Sequence, residues 1–418
     1  MNRRRALTLL AASPWVASRA WAQIRPSAKC RVFLGTHGLL LEPGGTLRTW
    51  LIQERSDGLA PDWLGLGHNK PLSAFTLVAV PGLTNVVKAA AGNACSFAVL
   101  ADGRLLSWGW NSGSGRLGTT PLSVVEATAS WGLNSNVPVP LATKFDGVDV
   151  SSQDSHVLAL ARDGSVYAWG KGDRGQLGIG PLPIIKFKTH TPSAMTYVPF
   201  PVRIPNLTDV AAISAGREHS LALLKDGTVR GWGSNKLGEV GDGTTIDRDR
   251  PAPVQGVRNA VALATGGDGF SAALLADGTV MTWGSSANGA LGRAPWVGDS
   301  APSPTPALVP GVQGIRAIGA GLRHMIALTE TGTIISWGDD TYGNLGRDNN
   351  KTNVPGVIKS LTGVQSIFTI NSVCFAVLAS GRIMNWGGGV RPWTRPGGGM
   401  NWISRSPILL WLDGLDQP

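Results

Sequence analysis

Asp226-Gly227-Thr228-Val229-Arg230-Gly231-Trp232-Gly233 is one copy of a phrase that runs through the whole chain. Asp277-Gly278-Thr279-Val280-Met281-Thr282-Trp283-Gly284 repeats it nearly letter for letter. Shorter copies pair Asp102-Gly103 with Trp108-Gly109, Asp163-Gly164 with Trp169-Gly170, and Thr331-Gly332 with Trp337-Gly338. Ser380-Gly381 with Trp386-Gly387 and Gly44-Gly45 with Trp50 are weaker versions. In each copy the tryptophan stands five positions after the second turn residue, and the seven tryptophans are spaced 58, 61, 63, 51, 54 and 49 residues apart. Self-similarity at such a period marks a repeat architecture.

Each repeat reads as strands. An apolar strand such as Ser220-Leu221-Ala222-Leu223-Leu224 precedes the turn. Asp-Gly is read as a two-residue hairpin turn with both central residues at positive φ. A β-rich strand then ends in Trp-Gly, and a loop follows that often closes with Leu-Gly, as in Arg116-Leu117-Gly118 and Gln176-Leu177-Gly178. Pro-flanked strands (Pro201-Val202, Pro253-Val254) and small-residue strands such as 210–216 complete the unit. One four-stranded sheet cannot bury both faces by itself, whereas seven packed face to face around an axis can. The expected fold is all-β, a seven-bladed β-propeller of four-stranded blades over residues 23–418. The repeated tryptophans are expected to pack sheet against sheet. The chain starts with the first segment of a repeat near Lys29-Cys30-Arg31 and finishes with the last segment of one at 406–415.

The phrases Gly-x-x-His-Ser-Leu-Ala-Leu, Asp-Gly-Thr-Val, Trp-Gly and Leu-Gly resemble the regulator of chromosome condensation repeat family, over residues 28–415. That resemblance implies the seven-bladed propeller. The founding member of the family is a nuclear exchange factor for a small GTPase on chromatin. A secreted propeller inhibitor of β-lactamases looks similar in architecture, and uses aromatic residues in the turns before the repeat histidine. Here those turns hold Asn93-Ala94, Asp154-Ser155, Arg217-Glu218 and Leu322-Arg323, without Trp or Tyr.

Residues 1–22 read as an export signal. Arg3, Arg4 and Arg5 form a positive start, 6–16 is a short apolar run, and Ala20-Trp21-Ala22 offers a cleavage site before Gln23. The run is too short to span a bilayer. The paired arginines leave both the general and the twin-arginine export routes open. The expected location is therefore periplasmic or secreted. The full chain of 418 residues carries a net charge of +10; removing the signal leaves 33 basic against 27 acidic residues, a net of +6. No run of five or six like charges occurs, so no nucleic-acid partner is expected. Charged residues make up only 15%, hydrophobic ones 43%, and the 56 glycines and 27 prolines suit short strands and many turns. The three cysteines, Cys30, Cys95 and Cys374, are odd in number, so at least one is left over or pairs between chains.

Eight residues before the turn glycine, the seven repeats hold His37, Cys95, His156, His219, Phe270, His324 and Val373. Neighbouring blades stand about 10 Å apart, too far for joint ligation of one ion near 2 Å. The histidines are therefore expected to bond local backbone, and neither a metal nor a cofactor is expected. Strand direction puts the Gly-x-x-His turns and the Trp-Gly loops on one face and the Asp-Gly turns on the other. Function on such folds lives in the variable loops. The candidate binding face comprises Asn93, Asp154, Arg217, Glu218, Asp268, Arg323 and Asn371 from the first set of turns, with Trp110 and Tyr342 from the second. Insertions at 119–140 and 179–200 are long enough to be functional. No Gly-x-Ser-x-Gly elbow, HExxH or P-loop occurs. The reading is an exported, non-catalytic, monomeric module binding a protein or glycan partner of the cell envelope or exterior. The alternatives are an exchange-factor-like regulator, a secreted enzyme inhibitor, and an envelope glycan-processing enzyme.

Overall fold

The computed structural model describes residues 31–52, 60–73, 76–111, 115–119, 134–181, 196–293, 301–347, 353–388 and 403–409. The proposed signal peptide, Cys30 and most of both insertions lie outside the described residues. Strands Ser135–Pro140 and Tyr197–Arg203 occupy the ends of the two insertions. Those ends are therefore outer strands of the blades rather than loop.

Seven four-stranded antiparallel meanders make up the fold. Blade 1 spans 31–79, blade 2 86–140, blade 3 147–203, blade 4 210–253, blade 5 260–308, blade 6 315–357 and blade 7 364–409. In blade 4 the order is Val210–Ala215, His219–Leu224, Val229–Gly233 and Arg248–Pro253. The first strands of successive blades pack side by side around the axis, and Arg31–Leu34 meets Val364–Ile370 to close the ring. Blades 1 and 7 are thus each built from four consecutive strands. Among the described residues no helix is long and apolar enough to cross a membrane.

The core lies between blades. One apolar cluster joins Leu221, Leu223 and Val229 of blade 4 to Leu263, Ala273 and Trp283 of blade 5. Another joins Leu40 and Trp50 of blade 1 to Phe375 and Val377 of blade 7, so the closing seam is packed like the rest. All seven repeat tryptophans are fully buried. Burial of each side chain contributes about 1.5–3 kcal/mol. Among the described residues five of them also donate Nε1–H across a seam, to the carbonyl of the residue before the Leu-Gly or Val-Gly step: Trp169 to Arg116, Trp232 to Gln176, Trp283 to Glu239, Trp337 to Ala290 and Trp386 to Asn344. The two motifs are therefore the two halves of one contact between adjacent blades.

The Asp-Gly turn differs from the sequence reading. Gly227 has φ of +79° but Asp226 is not in the positive-φ region. Gly227 N–H donates to Leu224 O at 3.0 Å, and Leu224 N–H to Thr228 O at 2.9 Å. The loop is therefore three residues, a turn followed by a left-handed glycine bulge. Asp226 serves as a clasp, accepting from Thr228 N–H at 2.8 Å and Thr228 Oγ1–H at 2.7 Å.

Candidate functional site

The repeated histidine has a partner that sequence reasoning missed. His37 Nε2 lies 2.5 Å from Ser96 Oγ, His156 Nε2 2.8 Å from Ser220 Oγ, and His219 Nε2 3.0 Å from Ser271 Oγ. His324 Nε2 lies 3.0 Å from Cys374 Sγ and from Thr369 Oγ1. Each partner belongs to the next blade, not to local backbone as expected. Ser220 and Ser271 in turn donate to the carbonyls of Gln176 and Glu239, the same oxygens that accept from Trp232 and Trp283. With the hydroxyl proton used there, the imidazole must donate Nε2–H. These Ser–His and Cys–His pairs resemble nucleophile–base pairs in outline only. All are buried. Burial pushes the Cys374 thiol up to about 12 and Cys95 to about 11. Cys95 and Cys374 are both free thiols.

The candidate face is a connected string of polar side chains. The Arg116 guanidinium lies 5.9 Å from the Trp110 ring centroid and donates to Asn93 O at 2.7 Å and Asp154 O at 3.0 Å. Asn93 Nδ2–H donates to Asp154 Oδ1 at 3.0 Å. Arg217 then stands 3.9 Å from both Asp154 and Asp268, and Asp268 also pairs closely with Arg323. Asp268, by that hydrogen bond, and then Asp339 and Tyr342 hold the Arg323 guanidinium above its ordinary pKa. Acid and base thus alternate from blade 3 to blade 6 around the axis. Trp110 and Tyr342 end the string at 45% and 46% exposure. Two predicted residues join it differently. Glu218 accepts from Lys171 at 3.3 Å, and Asn371 gives its carbonyl to Leu322 N–H at 2.7 Å.

Two cavities open on this face. A groove of about 860 Å³ between blades 4 and 5 is bordered by Arg217, Glu218, Lys236, Asp268 and Arg323, with Glu239 on its floor. Burial raises the Glu239 carboxyl above the ordinary range, opposed by the Leu237 N–H that donates to it at 2.8 Å. An axial mouth of about 200 Å³ is rimmed by Asn93, Asp154, Arg217 and Asn371 and holds Gln153 and Leu322. Arg116, Gln153 and Glu239 were not singled out from sequence. The available signal was positional: Gln153 stands where the repeat has glycine, and Glu239 stands just before the Val-Gly step.

Asp339 and Asp340, adjacent in sequence, are turned to separate structural tasks. Asp339 accepts from Thr341 N–H at 2.9 Å, and Asp340 accepts from Leu345 N–H at 3.0 Å. Among the described residues no three His, Cys, Asp or Glu side chains converge to hold a metal ion.

The geometry defines a closed propeller with one polar, multi-blade loop face. The RCC1-like domain model matches residues 56–392, and the chain belongs to that family. It is 33% identical to the mouse E3 ubiquitin-protein ligase HERC2 over 300 residues, which is 69% of this chain and 6% of the relative. It is 27% identical to the ultraviolet-B receptor UVR8 of Arabidopsis thaliana over 310 residues, covering 72% of this chain and 64% of the receptor. The chain therefore spans less than two thirds of these relatives. Yeast RCC1 (Prp20), solved bound to Kap60, superposes with a TM-score of 0.69 at 20% identity, covering 98% of this chain and 90% of that one. Human WBSCR16 gives 0.67 at 22% identity, covering 82% and 87%. At those identities the structures speak for the fold.

Proposed function

We propose that this protein is an exported, non-catalytic binding module that engages a macromolecular partner of the cell envelope or exterior through the face running from Trp110 to Tyr342. One observation carries the reading: polar side chains from several blades form a linked, partly exposed string on that face, while on the opposite face the aspartates of three Asp-Gly turns bond within their own turns. There Asp163, Asp226 and Asp277 each accept two hydrogen bonds from the Ser or Thr two residues on. Arg217 is 59% exposed and its two carboxylate contacts are long, so it is free to re-aim towards a ligand. Two exposed aromatics flank the string, and such residues anchor interfaces. Export rests on the basic-then-apolar start and the Ala20-Trp21-Ala22 step.

The names of the relatives, ubiquitin ligases and a light receptor among them, describe much longer or different proteins. Exchange-factor activity is less consistent with an export leader. An inhibitor that relies on aromatic turns is less consistent with Asp154, Arg217 and Arg323 in those turns. Glycan cleavage needs two carboxylates about 5–10 Å apart and free for acid–base work; at the groove Asp268 pairs with Arg323, Glu218 with Lys171, and Glu239 accepts from Leu237 N–H.

The test is capture from native envelope and secreted fractions with residues 23–418. A folded variant carrying Arg217→Ala, Glu218→Ala and Arg323→Ala is run beside it. Loss of the captured partner supports the loop face. Equal capture by both proteins moves the site elsewhere.

A further inference from the structure

Glu239 lines the floor of the groove between blades 4 and 5 and keeps 5% of its surface exposed there. Its hydrogen bonding is that of a glutamine. Glu239 Oε2 accepts from Leu237 N–H at 2.8 Å, and one blade back Gln176 Oε1 accepts from Arg174 N–H at 2.8 Å. Both residues also give their carbonyl to a serine and a tryptophan of the next blade. A neutral amide therefore suffices for this structural work, and the charge of Glu239 is surplus to it. That charge is costly, because a carboxylate taken out of water needs a cation or a full set of donors. Among the described residues no ion pair reaches it. Arg217 and Arg323 are drawn to Asp268, and Lys171 to Glu218. Glu239 Oε1 has a single long contact, 3.3 Å to Ser234 Oγ. Blade 5 leaves that oxygen room. Directly before the histidine slot blades 4 and 6 hold Glu218 and Arg323, whereas blade 5 holds Gly269. A Cβ on Gly269 would stand 3.0 Å from Glu239 Oε1, so no side chain at 269 covers it.

We propose that this groove is a subsite of the binding face and takes the ammonium of a lysine side chain from the partner, paired with Glu239. The proposal rests on the loop-face reading above and names the chemistry that the partner inserts. Charge selects the occupant. A partner carboxylate would meet a second anion on the floor, and a neutral head would leave the charge of Glu239 uncompensated. Hydrogen bonding then selects among cations. Oε2 is already taken by Leu237 N–H, so a guanidinium cannot close its two-pronged pair with both oxygens. An ammonium is a compact point charge that needs one carboxylate oxygen and carries two further donors. Oε1 supplies that oxygen, and the Ser234 hydroxyl lies beside it. The four-carbon stem of lysine carries the charge past the rim to the floor. Lys236, exposed on the same rim, is a like charge that an incoming ammonium must pass.

The experiment labels residues 23–418 with carboxyl-¹³C glutamate and titrates N-acetyl-lysine methylamide at neutral pH and low salt. The arginine and norleucine counterparts are run in parallel. The chain has six glutamates, and Glu239→Gln and Glu218→Gln identify two signals by disappearance. The expected result is a saturable shift of the Glu239 signal with the lysine probe, at least threefold weaker in affinity with arginine and tenfold weaker with norleucine. Lys236→Ala is expected to strengthen lysine binding at least twofold. Six unmoved signals, a shift confined to Glu218, or equal affinity for norleucine overturns the proposal, and equal affinity for arginine overturns the choice of an ammonium. Partner capture by Glu239→Gln, which keeps the bond to Leu237 and should unfold at the parent's urea midpoint or above, is expected to fall at least tenfold. Undiminished capture that is still abolished by the Arg217, Glu218 and Arg323 substitutions rejects the subsite and keeps the face. Capture that survives those substitutions rejects the face itself.

Discussion

His219 of blade 4 and Ser271 of blade 5 meet at 3.0 Å across the seam between their blades, and Ser271 passes the contact on to Glu239 O at 2.9 Å. The relationship holds around the ring. Where a blade has histidine in this slot, the next blade offers Ser96, Ser220, Ser271 or Cys374. Where the slot is Cys95, Phe270 or Val373, the matching residue is Val157, Met325 or Gly38. The two positions therefore behave as one interlocking unit.

His219→Phe and Ser271→Met, made singly, each strand a polar group in a dry seam. Each is expected to cost about 1–3 kcal/mol. The double substitution imports the Phe270–Met325 arrangement of the next seam and should recover at least half of the summed loss. Urea unfolding of the three variants measures this. Strict additivity of the two losses would mean that the residues do not act as a pair.

Stability should fall with acid. Burial lowers His37 and His156 to about 3, and His219 and His324 to about 4, from an ordinary 6.5. Below pH 6.5 the unfolded chain takes up protons that the folded chain refuses. Stability is therefore full above that pH and is lost as pH falls towards 4. Each histidine contributes a slope of up to about 1.4 kcal/mol per pH unit. Urea midpoints at pH 7, 6 and 5 should decline progressively, and the His219→Phe, Ser271→Met double variant should decline less steeply. A flat profile between pH 7 and 5 would contradict the buried neutral imidazoles.

Cys374 plays in blade 7 the part that serine plays in three other seams. Cys374→Ser should keep the contact to His324 and cost less than about 1.5 kcal/mol, whereas Cys374→Ala should cost more. Thermal unfolding distinguishes them. Native Cys95 and Cys374 should resist iodoacetamide until the chain unfolds, since both are buried with raised thiol pKa values. Rapid labelling of the folded protein would show that these seams open.

Export predicts a processed chain. Mass spectrometry of the natural protein should find Gln23 at its N-terminus. A protein starting at Met1 or Asn2 would restore a cytoplasmic role to consideration.

The blades were legible because their signals are local: Asp-Gly, Trp-Gly and the alternating strands each lie within a few residues. Which loops share a face was legible because strand direction alternates. What escaped the sequence crosses between repeats. His219 and Ser271 are 52 positions apart, Trp232 and Gln176 are 56 apart, and nothing in the period alone says which meets which. The turn geometry also escaped, because Asp-Gly fits a two-residue loop as well as the three-residue loop that Gly227 forms. Gln153 was visible as a departure from Gly-x-x-His, but its reach to Gly267 and Leu322 depends on the closed ring.

The most direct test of the central claim introduces a photocrosslinking residue at Glu218 on the loop face, and separately at Asp277 on the opposite face, and illuminates each protein with native envelope and secreted fractions. The account predicts a discrete crosslinked partner from position 218 and none from position 277. Crosslinking from position 277 with none from 218 would contradict it and assign binding to the Asp-Gly face.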